Sequence, residues 1–188
     1  DLSKVAAQWL GFMRVFHPDE PGGLTQAEMK SVLRAMSDDS RNRFTFWLGR
    51  VGQGNDDGWI KYVVPLVNED WPRERQYRTS GSVRAWIGLL DDTGDNFPVV
   101  YEAVKKFLVP IETDDHPFYR FTREVNEEEP ITTRFPTETL DLIHRVTPNV
   151  LSRLPYELPK ILALIAETEP SLTSDYRYLR LIDLVERC

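Results

Sequence analysis

Phe97-Pro98-Val99-Val100-Tyr101-Glu102-Ala103-Val104-Lys105-Lys106-Phe107-Leu108-Val109-Pro110 carries the pattern that sets the architecture of the chain. Val100, Val104, Phe107 and Leu108 recur at three- and four-residue spacing and leave Glu102, Lys105 and Lys106 for water, the pattern of an amphipathic helix. Asp95 or Asn96 stands as a cap before the aromatic, and Pro110 stands past the finish. An aromatic therefore opens this window and a proline closes it 13 positions later. The same frame recurs 38 residues to either side, from Trp59 to Pro72 and from Phe135 to Pro148. Asp56 or Asp57 precedes the first of these and Thr132 or Thr133 the other, in which Leu140, Ile143 and Val146 form the apolar stripe.

Between the windows, further helices are expected over Leu24 to Met36, Arg41 to Val51, Ser82 to Leu90 and Leu158 to Glu167. A last one runs from Tyr176 to Arg187, with Leu179, Ile182, Leu184 and Val185 as its apolar stripe. Sustained period-two alternation is missing, and the Val-rich run Tyr62-Val63-Val64-Pro65 carries a proline that a central strand would not tolerate. The expectation is an all-α chain. Helix pairs at a period of about 38 residues fall in the size range of HEAT-like units, and the small residues at fixed places that mark tetratricopeptide units are absent. Residues 1–188 thus read as a single helical-repeat domain, an irregular HEAT-like, α-solenoid-like array of antiparallel helix pairs. Two polar insertions interrupt it, near 49–58 with four glycines and near 112–130 with an acidic run around Phe118-Tyr119-Arg120-Phe121.

Composition bounds the function classes. With 41% hydrophobic and 28% charged side chains in 188 residues, the chain has enough apolar content for a core, which excludes a disordered or collagen-like polymer. No run approaches the roughly 18 apolar residues of a spanning helix, so a membrane partner is not expected. The formal charge of −7 argues against a general nucleic-acid binder that works by neutralising phosphates. Cys188, the one cysteine, rules out an intrachain disulfide framework and a cysteine metal cluster, and a cytoplasmic, reducing location is the simplest expectation. Asp1 is not a start residue and the chain stops inside a helix, so it reads as a piece of a longer polypeptide.

Catalytic and metal chemistry find little footing. His17-Pro18-Asp19-Glu20 and Asp114-Asp115-His116-Pro117 place histidines beside carboxylates, yet both are proline-centred turn sequences about 100 positions apart. His144 shares a helix with Asp141 and Arg145, as an exposed or partly buried residue would. Nucleophile elbows, phosphate-cradling loops and dinucleotide fingerprints are absent. No catalytic residue, cofactor or metal is therefore expected, and the chain reads as a non-enzyme. The most distinctive charged feature is Trp71-Pro72-Arg73-Glu74-Arg75-Gln76-Tyr77-Arg78, followed by Arg84 and Trp86. Arg73, Arg75, Arg78 and Arg84 form a candidate interaction surface, since guanidinium groups among aromatics clamp phosphates or acidic peptides. The same arginines also suit a solvated inter-helix corner, or pairing with the acidic stretch at 112–129.

Trp71-Pro72-Arg73-Glu74-Arg75, Thr93-Gly94-Asp95-Asn96-Phe97-Pro98, and Phe135-Pro136 with Leu140-Asp141-Leu142 carry a resemblance as well. Over about residues 60–187 the chain resembles the helical C-terminal region of large bacterial proteins, sirtuin-like ones among them, that act in defence against phages. The resemblance implies that catalysis sits in a separate N-terminal domain, and that this region senses a trigger, holds an oligomer together or restrains the effector. It marks no catalytic residue. The expected function is a protein-binding helical-repeat module, its partner an effector domain or another subunit. The alternative is a nucleic-acid sensor using the arginine corner.

Overall fold

The computed structural model describes residues 25–52, 56–72, 80–111, 118–122, 129–150 and 154–188, and among them every regular element is helical. In chain order these are α1 (Gln26–Ala35), α2 (Asp38–Gly52), α3 (a continuous helical run over 56–70), α4 (Ser80–Asp91), α5 (Phe97–Val104), α6 (Ile131–Arg134), α7 (Pro136–Val146), α8 (Leu158–Thr168) and α9 (Tyr176–Arg187). Tight 3₁₀ turns lie at Gly94–Asn96, Lys105–Phe107, Phe118–Thr122 and Pro170–Ser174. Contacts divide the chain into two compact units, Asp1–Gln76 with Ala85–Lys106 and Tyr77–Arg84 with Phe107–Cys188.

In the first unit, α1 starts on a capping box: the Thr25 hydroxyl accepts from the Glu28 amide at 3.3 Å while the Glu28 carboxylate accepts from the Thr25 amide at 2.7 Å. Met29 and Leu33 of α1 and Phe44 and Leu48 of α2 are buried. Among them lies Arg41, only 1% exposed, whose guanidinium donates to the Leu33 carbonyl at 3.2 Å and to Asp38 at 2.7 Å. An aromatic series deepens this core. Phe44 stacks on Trp71 with centroids 6.1 Å apart, and Trp71 meets Trp86 edge-on at 4.8 Å.

Helix α3 differs from an ordinary α-helix. The Val64 amide donates to the Trp59 carbonyl and the Trp71 amide to the Leu66 carbonyl, so two of its turns close over five residues instead of four. Pro65 sits between them. A proline inside a helix has no N–H to donate and its ring crowds the carbonyl four residues back, and a widened turn relieves that conflict. The helix ends where Trp71 turns extended (ψ 131°) ahead of Pro72, the conformation a residue before proline favours.

The expected caps of the windows are replaced by other devices. Asp56 and Asp57 lie inside α3, Asn96 makes no side-chain cap bond, and Thr132 and Thr133 lie inside α6. Pro98 and Pro136 stand in the first turn of α5 and α7, where their fixed φ suits a helix start and no partner is needed for an N–H.

A Cβ added at Gly88, within α4, meets no atom within 4 Å, and its backbone is helical. Gly88→Ala is expected to raise stability by about 0.5–1 kcal/mol, because alanine has less unfolded-chain freedom to lose. An unchanged or lowered urea midpoint would contradict this reading of α4.

In the second unit, Phe118, Phe121, Leu140, Ile143, Val146, Leu158, Ile161 and Ile165 form the core. Helix α9 meets it through Leu181 and Leu184, whereas Leu179 stands 54% exposed. The apolar stripe expected through Leu179 is therefore rotated, and Leu181 takes its place. Of the two polar insertions, residues 49–52 close α2 and 56–58 open α3, while 118–122 form a short helix burying Phe118 and Phe121. The remaining parts, 53–55, 112–117 and 123–128, lie outside the described residues.

Candidate functional site

Arg73, Arg75 and Arg78 lie outside the described residues, as do His17 and His116. Arg84 is half-buried on α4 with its Nε enclosed. Among the described residues, no cluster of three or more metal-ligating side chains occurs. The chemistry that the structure does gather lies elsewhere, in the second unit.

A groove of about 700 Å³ is lined by Leu108 and Pro110, by Asp141, His144 and Arg145 of α7, by Thr147, Pro148 and Asn149 beyond it, and by Tyr176 and Arg180 of α9. Spacing explains the convergence, since residues three and four apart share one helix face: 141, 144 and 145 on α7, 176 and 180 on α9. Two carboxylates organise one wall. Asp141 accepts from Arg145 Nε at 2.8 Å and from Arg177 Nη1 at 3.2 Å. Asp175 caps α9 by accepting from the Arg177 amide at 2.8 Å, and binds the guanidinium of the same residue at 2.6 and 3.0 Å. The Arg177 hydrogen bonds, with smaller help from its charge, hold the Asp175 carboxyl at about 2 against an ordinary 3.8. Arg177 is in turn pushed up, first by its bond to Asp175.

Arg180 performs a different task. Its Nη1 donates to the His144 carbonyl at 3.2 Å, and its Nη2 to the Thr147 carbonyl at 2.8 Å and the Asn149 side chain at 3.0 Å. The Ile111 amide donates to the Val146 carbonyl at 2.8 Å. A helix end leaves its last carbonyls without intrahelical donors, so here a distant guanidinium and a passing backbone supply them. Burial pushes the Arg180 pKa down. Burial, followed by the nearby Arg180 charge, also lowers that of His144, whose ring meets Tyr176 edge-on at 5.5 Å.

Because the Asp175 carboxyl is depressed in the folded state, its contribution is complete above the ordinary 3.8 and is lost as pH falls towards 2. The thermal midpoint should drop across that interval, and Asp175→Asn should flatten this part of the profile. A variant profile parallel to that of the wild type would refute the assignment.

The chain matches no family model, no curated protein and no solved structure. Its candidate site therefore rests on geometry. Sequence reasoning placed Asp141 and Arg145 beside His144 but missed Arg177 and Arg180, which stand 36 residues from their α7 partners. Tyr176 and Arg180 at four-residue spacing were the one available sign.

Proposed function

We propose that this chain is a non-enzymatic protein-binding module, the interaction or regulatory part of a larger cytoplasmic bacterial protein, and that it holds its partner at the groove between α7 and α9. The observation that carries this reading is the apolar rim. Tyr176 and Leu179 share a face of α9 and stand 70% and 54% exposed, and Val150, next to the groove residue Asn149, stands 82% exposed. Single exposed apolar residues are ordinary, but here Tyr176 lines the groove and Leu179 and Val150 directly precede or follow lining residues, a clustering that suits an interaction surface. Panning a displayed peptide library on the chain tests it. Binders are expected to lose affinity at least about tenfold for the Tyr176→Ser, Leu179→Ser double variant, with helicity retained. Equal binding by that variant overturns the reading.

The helix-pair repeat is part of the proposal. Its support is one contact between equivalent positions of successive windows, Lys106 Nζ donating to Asn68 at 2.9 Å across 38 residues, and a second at the same separation outside the windows, Lys160 Nζ donating to the Thr122 carbonyl at 3.4 Å. A stack of like units brings like positions side by side. A sensing or scaffolding place in antiphage defence rests on the resemblance given above. The nucleic-acid alternative rests on Arg73, Arg75, Arg78 and Arg84, and no described contact favours it.

A further inference from the structure

We infer that the segment held in the α7–α9 groove presents a carboxylate next to an apolar side chain, and that Arg180 is the residue that reads it. This deepens the protein-binding proposal and rests on it. Three cations, Arg145, Arg177 and Arg180, stand at or behind the groove, and two carboxylates face them, Asp141 and Asp175. Burial and the Arg180 charge disfavour a positive charge on His144. The two aspartates are engaged by Arg145 and Arg177. Among the described residues, Arg180 makes its hydrogen bonds to neutral oxygens, two carbonyls and an amide.

Among the described residues the groove thus holds one surplus positive charge, in a chain whose formal net charge is −7. A guanidinium carries five donors in a planar fork, and the three bonds above leave two N–H groups of Arg180 for a ligand. A partly desolvated cation with neutral partners gains most from an incoming carboxylate, because the bond is charge-assisted on both sides. Tyr176 is its neighbour one turn away on the same helix, with Leu179 beside it, so the acidic group would arrive flanked by an aromatic or aliphatic side chain lying on that rim. Charge complementarity and the apolar rim together select an acidic, apolar peptide. A nucleic acid would stack a base on Tyr176 but would leave the aliphatic Leu179 and Val150 uncovered.

The test pans a random-peptide library on the 188-residue chain and then alters the peptide, leaving the protein intact. Enriched sequences are expected to carry Asp or Glu next to Leu, Phe, Tyr or Trp. Replacing that acid with its amide should weaken binding about tenfold, and Arg180→Gln should make the protein indifferent to the replacement. Arg180→Lys, which keeps the charge but not the directed N–H groups, should fall between. Enriched peptides that lack acids, or that bind equally as amides, overturn this inference; loss of their binding on Tyr176→Ser, Leu179→Ser would show that the groove reading stands without it. Displacement of the peptide by a single-stranded oligonucleotide would overturn it in favour of phosphate. Failure to enrich any peptide would overturn both.

Discussion

In Trp86→Ala, the free energy of unfolding is expected to fall by about 3–5 kcal/mol, the range for deleting a large buried aromatic. Trp86 is 1% exposed and meets Trp71 edge-on at 4.8 Å, and Trp71 stacks on Phe44, so the Trp86 indole of α4 closes an aromatic series that runs through Trp71 to α2. Deletion removes the transfer free energy of the ring and leaves a void that Phe44 and Trp71 fill only in part. Against a total of about 5–15 kcal/mol for a domain, such a loss leaves the first unit close to unfolding. Urea denaturation followed by circular dichroism measures it. Trp86→Phe should retain more than half of the stability lost by alanine, and equal losses would show that the edge-on packing is not what the site requires.

The second large effect concerns the buried charge. Arg41→Ala is expected to cost about 2–4 kcal/mol, made up of an orphaned Leu33 carbonyl and the lost packing of the arginine stem. Asp38 contributes little to that loss, because its side chain is 55% exposed and water replaces the guanidinium. Arg41→Met should cost half as much or less: it keeps the stem and removes the penalty of holding a cation out of water. Denaturant midpoints of the two variants, compared side by side, separate packing from charge. If methionine proves as damaging as alanine, the hydrogen bond to Leu33 outweighs both.

Helix existence was legible because spacing and prolines agree: Val100, Val104 and Phe107 are buried as their spacing predicts, and Pro72, Pro110 and Pro148 stand just past helix ends. The caps misled, since Thr132 and Thr133 read equally well as capping residues or as part of a short helix. On α9, Leu179 with Ile182 and Leu181 with Leu184 both satisfy a three-residue step, so spacing alone could not choose the buried face. Arg41 and Arg180 were illegible for a deeper reason. Their principal partners include backbone carbonyls, of Leu33, His144 and Thr147, and a carbonyl leaves no trace in the identity of its residue. The groove could be read only after α7 and α9 were side by side.

The wide turns of α3 set the direction of its buried side chains. Trp59, Val63, Val67 and Trp71 are all buried and follow one another every four residues. A four-residue step overshoots an ordinary helical turn by about 40°, so three steps would carry Trp71 about 120° round from Trp59. Two wide turns absorb that overshoot. Pro65, which would be a fault in a regular helix, acts here as a phase setter that keeps both indoles aimed into the same core.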